Sequence, residues 1–374
     1  MVGAGAWGLP AAAELARRGH SVVLLDRYGP ANQLSSSSGP TRIWRLSHPD
    51  RLRVRFALRS VDAWHRLESL TGVTAIQRRG LLWRDSANVP DVIASLTAEG
   101  VACTPVDHDD VGRFFPGLRP DGRPAVWQED AGPVLARHAL DAQAGLFAMA
   151  RGDLVVSAHV REIDVTGDGV VLRCSDGRTF EGDVVVLAPG PGAQPLLAQV
   201  GVDLALRPML EQVCHVGRGS DTDDLPCIYE GPIDGEPGMY GMPTPGRGYK
   251  LGIDHEPRPW RDDDHDRTPD PVVAAAISAR AARSFTSIDP GVVDGQVCTW
   301  TASPDGRFVL DTLHGGRVVV AVGDSGEGFK YSALMGLVLA DLAEGQAPDA
   351  DVAAFGLARF ADGGAVPPGA ARGR

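Results

Sequence analysis

The feature that most constrains the fold lies at the start of the chain, where a G-x-G-x-x-G pattern is formed by Gly3, Gly5 and Gly8. A helical pattern over residues 9–18 and a strand-like run over 21–25 follow directly, and the run ends in Asp26. This order is typical of a βαβ unit that binds a dinucleotide, because the glycines bring backbone N–H groups close to a pyrophosphate. Asp26 can accept hydrogen bonds from a ribose. The alternative is a glycine-rich turn without a nucleotide.

The strand that should precede this turn is almost absent. Only Met1 and Val2 stand before Gly3, whereas strands usually have about five residues. Either the chain start is placed several residues too late or the central strand of the sheet has been lost. We favour the first explanation, and we expect that this start leaves backbone groups of neighbouring strands unpaired.

A second cofactor signal lies near the C-terminal end. Cys298 stands five residues before Ser303-Pro304-Asp305, and a turn with Gly326 and Gly328 opens a helix after one further strand. Such a turn offers N–H groups and a positive dipole end to an electron-rich ring. A cysteine beside the methyl group of a flavin can become its thioether anchor. We therefore predict a flavin held covalently through Cys298, with a buried free thiol as the alternative.

Size and charge limit the architecture and the partners. The 374 residues exceed the usual size of a single core, so two domains are expected. The formal net charge of -12 argues against nucleic acid or an anionic membrane as a partner, because the summed field repels both.

Two further features bear on location. No stretch reaches the ~18 consecutive apolar residues of a membrane helix, and the N-terminus has no charged region followed by an apolar segment. The cysteines are an odd number, 5, without the C-x-x-C spacing of metal sites. This usage fits a reducing compartment, so the cytoplasm is the expected location and no metal is expected.

Patterns along the chain predict an interleaved organisation. Helices are predicted at 56–70, 92–99, 139–150 and 333–343. Strands are predicted at 80–84, 154–156, 169–172, 184–188, 239–243, 250–253 and 318–322. The run 184–188 is typical of a buried parallel strand, and the acidic runs 107–110 and 262–266 are typical of solvated loops. The residues after Asp362 are expected to be disordered.

Five segments, taken in order, resemble a known family. They are Gly3 to Gly8 with Asp26, Thr41-Arg42-Ile43-Trp44-Arg45, Tyr249-Lys250-Leu251-Gly252, Cys298 with Pro304-Asp305, and Gly326-Glu327-Gly328-Phe329-Lys330. In these segments the chain resembles the FAD-dependent amine oxidases of the monomeric sarcosine oxidase and N-methyltryptophan oxidase group, within the D-amino-acid-oxidase-like superfamily. The resemblance covers most of the chain.

The resemblance implies an α/β fold class. It predicts a Rossmann-like FAD-binding domain of the glutathione-reductase type, interleaved with an α+β substrate domain built on an antiparallel sheet. The FAD-binding domain would comprise residues 1–78, 133–200 and 297–374, and the substrate domain residues 79–132 and 201–296. At 189–192 this chain has Pro-Gly-Pro-Gly where the family usually has a Gly-Ala-Trp type turn, which leaves less bulk beside the cofactor.

The resemblance also implies which residues bind FAD. They are Gly3, Gly5, Gly8, Asp26, Arg27, Arg42, Val160, Cys298, Gly326, Gly328, Phe329 and Lys330. Four of the matched cations are the expected catalytic residues. Arg42 would lie against the flavin ring, and Arg45 with Lys330 matches the pair that binds the substrate carboxylate. Lys250 matches the lysine that promotes reaction with oxygen, where a fixed cation stabilises developing superoxide.

The expected substrate pocket departs from small-substrate members of the family. Tyr240 matches a pocket tyrosine, but Trp300 stands in place of a tyrosine and Asp254 in place of a histidine. His255 is displaced by one residue, which on a strand turns its side chain to the opposite face. An aspartate in the pocket would attract a cationic group. A larger or cyclic amino acid is therefore expected rather than sarcosine.

The predicted activity is the FAD-dependent oxidation of a secondary or cyclic amino acid. The amine would lose a hydride equivalent to the flavin N5 atom, and oxygen would become hydrogen peroxide. The expected partners are an amino acid or amine substrate and molecular oxygen, and the chain is expected to be a monomer. Two alternatives remain, a flavin dehydrogenase that uses another acceptor and a catalytically inactive protein with a flavin fold.

Overall fold

The computed structural model describes residues 1–361, and the tail predicted after Asp362 lies outside them. The α-helices are α1 Gly8–Arg17, α2 Arg51–Thr71, α3 Val89–Ala98, α4 Val111–Phe114, α5 Ala136–Met149, α6 Ala193–Gln199, α7 Pro271–Ser284, α8 Ser332–Ala343 and α9 Ala350–Ala353. Short 3₁₀ turns lie at Gly190–Gly192, His314–Gly316, Gly328–Tyr331 and Leu357–Phe360.

The strands follow the same chain order. They are β1 Val23–Leu25, β2 Thr41–Trp44, β3 Leu81–Arg84, β4 Thr104–Val106, β5 Ala125–Gln128, β6 Gly132–Leu135, β7 Asp153–Val155, β8 Val160–Val165, β9 Val170–Cys174, β10 Thr179–Gly182, β11 Val185–Leu187, β12 Arg207–Val216, β13 Cys227–Glu230, β14 Met239–Thr244, β15 Gly248–Ile253, β16 Arg258–Pro259, β17 Val292–Ala302, β18 Val309–Leu313 and β19 Val318–Val322.

The first sheet is mostly parallel and carries the glycine-rich turn. β1 pairs in parallel with β7, β11 pairs in parallel with β19, and β18 lies antiparallel to β19. Val2 joins the two halves, because it bridges Leu25 of β1 on one side and Leu187 of β11 on the other. Every residue of β11 and β19 is buried, as expected for parallel strands that are covered on both faces.

The N-terminal residues act as a very short central strand. Val2 N donates to Val186 O at 2.9 Å, and Leu25 N donates to Met1 O at 2.9 Å. Gly3 N donates to Leu25 O at 2.8 Å. Two residues therefore pair with the backbone of both neighbouring strands beside the turn, where we had expected unpaired groups.

The second sheet contains nine strands in the order β16-β12-β15-β14-β13-β3-β5-β4, with β17 also paired to β12. β12 pairs with β17 along one edge and with β15 and β16 along the other. All pairs are antiparallel except β3 with β13. Chain segments before residue 132 and after residue 201 thus meet in one sheet. β17 runs past residue 297, and the proposed division into domains stays a prediction.

Helices fix the loops of the site against the first sheet. α1 packs against α5 and α8, and Gly336 of α8 permits this approach, since a Cβ there would lie 2.9 Å from the Pro10 Cβ. From α2, the Trp64 Nε1 atom donates to the carbonyl oxygen of Lys330 at 2.7 Å. This bond holds the turn before α8 in place. Within residues 1–361 no helix is long and apolar enough to cross a bilayer.

Most predicted elements occur, with shifted ends. The strand predicted at 318–322 has those bounds as β19, and α3, α5 and α8 begin one to three residues before the predicted positions. α2 begins at Arg51 rather than at residue 56, because the Asp50 side chain caps the helix by accepting from Leu52 N at 2.9 Å. An N-terminal cap of this kind starts a helix whose first turn is polar.

Candidate active site

Three joined cavities form one long cleft between the two sheets. The outer cavity is bordered by Asp26, Arg27, Val160 and Trp260, among others. The turn cavity is bordered by Gly3, Gly5, Ser35 to Ser37 and Pro189 to Pro191. The central cavity is bordered by Arg45, Tyr240, Lys250 and Lys330, among others. The turn cavity shares wall residues with each of the other two, so the cleft is continuous.

The glycine pattern builds the wall of the turn cavity. A Cβ at Gly3 would collide with the carbonyl of Ala188, and a Cβ at Gly8 would collide with the carbonyl of Gly3. Gly5 instead faces the cavity, where a Cβ would approach Ser37 Oγ at 3.2 Å. Two glycines therefore permit the tight turn and the third keeps the start of α1 open to a ligand.

Asp26 orders the loop that follows β1. One carboxylate oxygen accepts from Ala4 N at 2.7 Å, and the other accepts from Tyr28 N at 2.8 Å and Gly29 N at 2.6 Å. An ionised carboxylate can accept about four hydrogen bonds. Asp26 thus retains capacity for one ligand hydroxyl, and it borders both the outer and the turn cavity.

The wall of the central cavity is one face of the second sheet. Alternate residues of a strand share a face, and residues paired across strands stand side by side. The pairs on this face are Glu211 with Cys298, His215 with Lys250, Lys250 with Met242, Gly252 with Tyr240, and Tyr240 with Tyr229. The strand pattern therefore brings residues distant in sequence to one surface.

Gly252 makes room for an aromatic side chain on this surface. A Cβ at Gly252 would collide with the ring of Tyr240, since the Tyr240 Oη atom lies 2.6 Å from that position. The ring thus lies flat over β15. Together with Trp300 and Tyr229 it gives the central cavity an aromatic lining.

Arg45 enters the cavity from the end of β2 and is 4% exposed. Its Nη1 atom donates to Ser47 O at 2.6 Å. Its guanidinium carbon lies 4.5 Å from the centre of the Trp83 ring and 5.1 Å from that of Tyr229. Stacking on aromatic faces holds a guanidinium in a dry site and leaves its remaining donors for a ligand.

Lys330 belongs to a buried cluster of charged residues. Its Nζ atom donates to Glu327 Oε2 at 3.2 Å and lies 3.2 Å from His48 Nε2. Arg53 Nε lies 3.7 Å from the same Glu327 oxygen. Burial lowers the pKa of Lys330 and the Glu327 carboxylate raises it, so that it stands at about 7.

The charge of this cluster is positive. Burial would raise the pKa of Glu327, but Lys330, Arg53 and Arg45 lower it to about 2, so this carboxylate is ionised. Burial and the nearby Lys330 charge hold the pKa of His48 well below its usual 6.5, so His48 is neutral. Arg45 and Arg53 then exceed Glu327 by one charge, and a protonated Lys330 adds a second. The site is therefore built to receive an anion.

Lys250 lies on the opposite part of the cavity wall and is 2% exposed. Its Nζ atom donates to the carbonyl oxygen of Thr41. Burial, with the charge of Arg42, lowers the pKa of Lys250 well below 10.5. Arg42 donates to Thr41 O at 2.8 Å and to Ser36 O at 2.9 Å. Arg42 thereby ties the serine loop to β2.

A chain of buried polar groups runs beside Lys250. The Oγ1 atoms of Thr41 and Thr244 lie 2.8 Å apart, and Thr244 Oγ1 lies 3.2 Å from His215 Nε2. Burial and the nearby charge of Lys250 lower the pKa of His215 to about 3. His215 Nδ1 lies 3.8 Å from a carboxylate oxygen of Asp294 at the surface. The neutral imidazole therefore lies between the surroundings of Lys250 and Asp294, and its Nδ1 atom has no hydrogen-bond partner among the described residues.

Comparison with known proteins identifies the family. The profile of the FAD dependent oxidoreductase family matches residues 1–342. The chain belongs to the FAD dependent oxidoreductase family. It is 27% identical over 375 residues to monomeric sarcosine oxidase of Bacillus sp. (strain B-0618), covering 96% of this chain and 95% of that relative. It is 26% identical to N-methyl-L-tryptophan oxidase of Citrobacter koseri, over 96% of this chain and 98% of that relative.

Solved structures agree with this FAD dependent oxidoreductase fold. NikD, an unusual amino acid oxidase essential for nikkomycin biosynthesis, superposes with a TM-score of 0.84 at 25% identity and covers 95% of each chain. Glycine oxidase from Geobacillus kaustophilus superposes with a TM-score of 0.81 at 23% identity, over 96% of this chain and 97% of that one. The predicted family, the α/β fold class and the FAD dependence are thereby confirmed.

The cleft of this FAD dependent oxidoreductase fits its cofactor. The open face at Gly5, at the start of α1, suits a diphosphate, because a helix N-terminus attracts anions. Asp26 can hold a ribose hydroxyl. Phe329, stacked under the Arg42 guanidinium at 5.7 Å, and Cys298 border the central cavity, where the flavin ring would lie. The residues that would hold FAD thus span all three cavities.

The structure brings most of the predicted site residues to this cleft. Arg42, Arg45, Tyr240, Lys250, Cys298, Trp300, Gly326, Gly328, Phe329 and Lys330 border the central cavity, and Gly3, Asp26, Arg27 and Val160 border the outer cavity. Asp254 is not among the described residues of the central wall. The chain leaves β15 after Ile253, and the Asp254 carboxylate lies beside Gly238 instead.

The sequence patterns did not predict several other side chains of the cavity. Glu211, at 6% exposure, is a carboxylate on the central wall, and Glu327 and His48 surround Lys330. Glu327 lies inside a segment that matches the family, so a charge beside Lys330 could have been predicted from the sequence. The position of Glu211 could be found only from the register of β12 with β17. The acidic run 107–110 is exposed, and Asp107, His108 and Asp109 lie close enough together to hold a metal ion.

Proposed function

We propose that this protein is an FAD-dependent oxidase of an amino acid whose nitrogen is secondary or part of a ring, with oxygen as the electron acceptor. The observation that carries this proposal is the cation cluster of Arg45 and Lys330 beside an aromatic wall, at the end of a cleft that fits FAD. This arrangement has an anion site and an apolar site at the place where the flavin ring would lie. An amino acid has both features.

Arg45 and Lys330 would bind the substrate carboxylate. The guanidinium is held on Trp83 and Tyr229 and can offer two parallel donors, while the ammonium supplies a point charge. A bound carboxylate would raise the pKa of Lys330 from about 7, since an added negative charge favours the ammonium form. Substrate binding should therefore fix Lys330 in its charged state.

The remaining residues of the cavity would orient the amine and exclude water. FAD, when bound, would accept a hydride equivalent from the carbon beside the amine nitrogen as the CH–NH unit becomes an imine, and it would pass the two electrons to an acceptor. Tyr240, Tyr229 and Trp300 would enclose the space in front of the ring, and the burial of Tyr229 and Trp300 would keep the carboxylate contacts in a dry surrounding. Lys250 would place a cation where oxygen is reduced, and such a fixed charge stabilises a developing anion.

The relatives support this substrate class. Two of them are named for the oxidation of sarcosine and N-methyl-L-tryptophan, and NikD is described as an unusual amino acid oxidase. Trp300 adds bulk to the aromatic wall, which suits a ring or a larger side chain. Glu211 adds a carboxylate to the same cavity. We therefore propose a cyclic or N-alkyl amino acid larger than sarcosine.

We also propose that the flavin is attached covalently through Cys298. The thiol is free, partly exposed and borders the central cavity. Precipitating the protein with acid tests this directly, because a covalent flavin stays in the pellet. Release of all yellow colour into the supernatant would contradict a covalent bond between the flavin and Cys298.

Location and assembly are a further part of the proposal. The cysteines of the described residues are free thiols, which suits the reducing cytoplasm. A relative is named as a monomeric enzyme, and we propose a monomer here. Light scattering of the purified protein during gel filtration measures its mass, and a mass near 39.4 kDa is expected.

The experiment for the activity is a peroxide assay on a matched panel. Cyclic and N-alkyl amino acids are compared with the same amines lacking the carboxylate. Peroxide should form with the amino acids and should not form with the amines that lack the carboxylate. Lys330→Met should slow turnover of the amino acids. Equal turnover of both panels would contradict the carboxylate site. Flavin reduction without peroxide would favour a dehydrogenase that uses another acceptor.

A further inference from the structure

The loop of residues 258–267 lies over the outer cavity, and its acidic run 262–266 is mostly exposed, as the sequence predicts. Trp260, Asp262, Asp264, His265 and Arg267 border that cavity. The opposite wall comes from the first sheet and from β8, with Leu25 and Val160. The end of the cleft is thus closed by a segment of the second sheet.

Specific contacts hold this loop in place. Arg27 Nη1 donates to Asp262 Oδ1 at 2.6 Å, and Tyr28 Oη lies 2.9 Å from His265 Nε2. At its base, Trp260 N donates to the carbonyl oxygen of Pro208 on β12 at 3.0 Å. Two side-chain contacts and one backbone bond therefore connect the loop to both sheets across the cavity.

Bonds within the loop keep its shape. Arg258 Nη2 donates to Asp266 O at 2.8 Å, and Arg267 Nη1 donates to Asp264 O at 3.0 Å. Asp264 in turn accepts from Asp266 N at 3.0 Å. The Asp264 carboxylate, which also lies 3.4 Å from Arg258 Nη1, thus helps to fold the loop on itself.

The charges around the outer cavity balance. Arg27, Arg161 and Arg267 border it together with Asp26, Asp262 and Asp264. A neutral pocket with aromatic side chains does not favour a phosphate, and it suits an uncharged planar base on a ribose. The diphosphate belongs instead at the turn cavity, where α1 begins.

We propose that the loop of residues 258–267 forms one wall of the adenosine site, with Trp260 packed against the nucleotide and with the Arg27–Asp262 and Tyr28–His265 contacts holding the wall closed. The inference rests on the membership of this chain in the FAD dependent oxidoreductase family. It does not rest on the proposed substrate. Its failure and that of the oxidase proposal are therefore distinguishable, because cofactor affinity is measured without turnover.

The test compares FAD with FMN, which has the same ring and lacks the adenosine half. The full chain carries Cys298→Ala, so that any covalent bond is removed, and binding is followed by flavin fluorescence. Trp260→Ala should weaken FAD binding about ten-fold, because the stacking of an aromatic side chain on a base is lost. FMN affinity should stay unchanged. Asp263→Asn, at an exposed position of the same loop, is the control and should bind FAD like the parent.

Three further measurements keep the proposal falsifiable. The double variant Arg27→Ala, Tyr28→Phe removes the contacts that hold the loop and should speed FAD release without altering FMN release. The melting temperature of each variant, taken without flavin, reports its folding. Unchanged FAD affinity in Trp260→Ala and the double variant would overturn the proposal, and so would an equal loss of FAD and FMN affinity.

Discussion

Replacing Glu327 with glutamine should move the pH at which the cation cluster loses its affinity for carboxylates. The Glu327 carboxylate lies 3.2 Å from the Lys330 ammonium, and both side chains are buried. Burial, Arg45 and Arg53 lower the pKa of Lys330, and Glu327 opposes them. The variant keeps the shape of the side chain and removes the opposing charge.

The size of the shift follows from the contact. A hydrogen bond to a charged group contributes about 1.5–3 kcal/mol, and one pKa unit corresponds to about 1.4 kcal/mol. The pKa of Lys330, which is about 7 in the parent, should therefore fall by about 1–2 units. Lys330 binds an anion as ammonium, so affinity is full below this pKa and is lost as the pH rises through it. At pH 7 the affinity should drop about 5-fold or more, and it should recover in acid.

The assay is a spectral titration of the holoenzyme with cyclopentanecarboxylate, which has a ring and a carboxylate but no amine to titrate. Dissociation constants across about pH 5–9 give the midpoint at which binding is lost. Glu129→Gln, which changes an exposed carboxylate, is the control and should keep the parent midpoint. A Glu327→Gln midpoint equal to or above that of the parent would refute the assignment of Lys330 as the anion-binding group.

Four other changes test separate parts of the molecule. Lys250→Met should slow reoxidation of the reduced flavin by about 10²–10³-fold and leave reduction by substrate nearly intact. Stopped-flow absorbance separates the two steps, and equal oxygen reactivity in variant and parent would exclude a role of Lys250 in the reaction with oxygen. Cys298→Ala should fold, and acid should release all of its flavin. Gly252→Ala should displace the ring of Tyr240 and raise KM for the amino acid, with a melting temperature close to that of the parent; an unchanged KM would contradict the role of this ring. Burial raises the pKa of Glu14, but its arginine partners lower that pKa to about 2 from 4.5. The ionised carboxylate therefore adds stability above pH 4.5, and this stability is lost as the pH falls toward 2. The melting temperature of Glu14→Gln should match that of the parent in acid and be lower at neutral pH.

Local patterns in the sequence predict the elements that depend on local properties. A continuous run of apolar residues, four valines and Ala321, predicts β19 with its observed bounds, because a strand buried on both faces needs apolar residues throughout. The glycine spacing predicts the turn, since Gly3 and Gly8 are each required by a close approach of the backbone, and Gly5 faces the cavity. The matched cations Arg42, Arg45, Lys250 and Lys330 all border the central cavity, as their motifs predict.

Features that depend on contacts across the fold could not be read from local patterns. The alternation of the strand pattern predicts that β15 continues past Ile253, but His255 N donates to the carbonyl oxygen of Ile253 and the chain turns there. The acidic run 262–266 has the composition of a solvated loop, and only the contacts of Arg27 and Tyr28 show that it closes a cavity. The environment of Lys330 depends on His48, which is far away in sequence.

The most direct test of the central claim is a single turnover followed in the visible flavin absorbance. The oxygen-free holoenzyme is mixed with a cyclic or N-methyl amino acid that is turned over in the peroxide assay, and oxygen is then admitted. We expect the amino acid to bleach the flavin, oxygen to restore its absorbance, and one equivalent of hydrogen peroxide to appear per flavin restored. A flavin that no amino acid bleaches, or a bleached flavin that oxygen does not restore, would contradict the assignment of this protein as an amino acid oxidase.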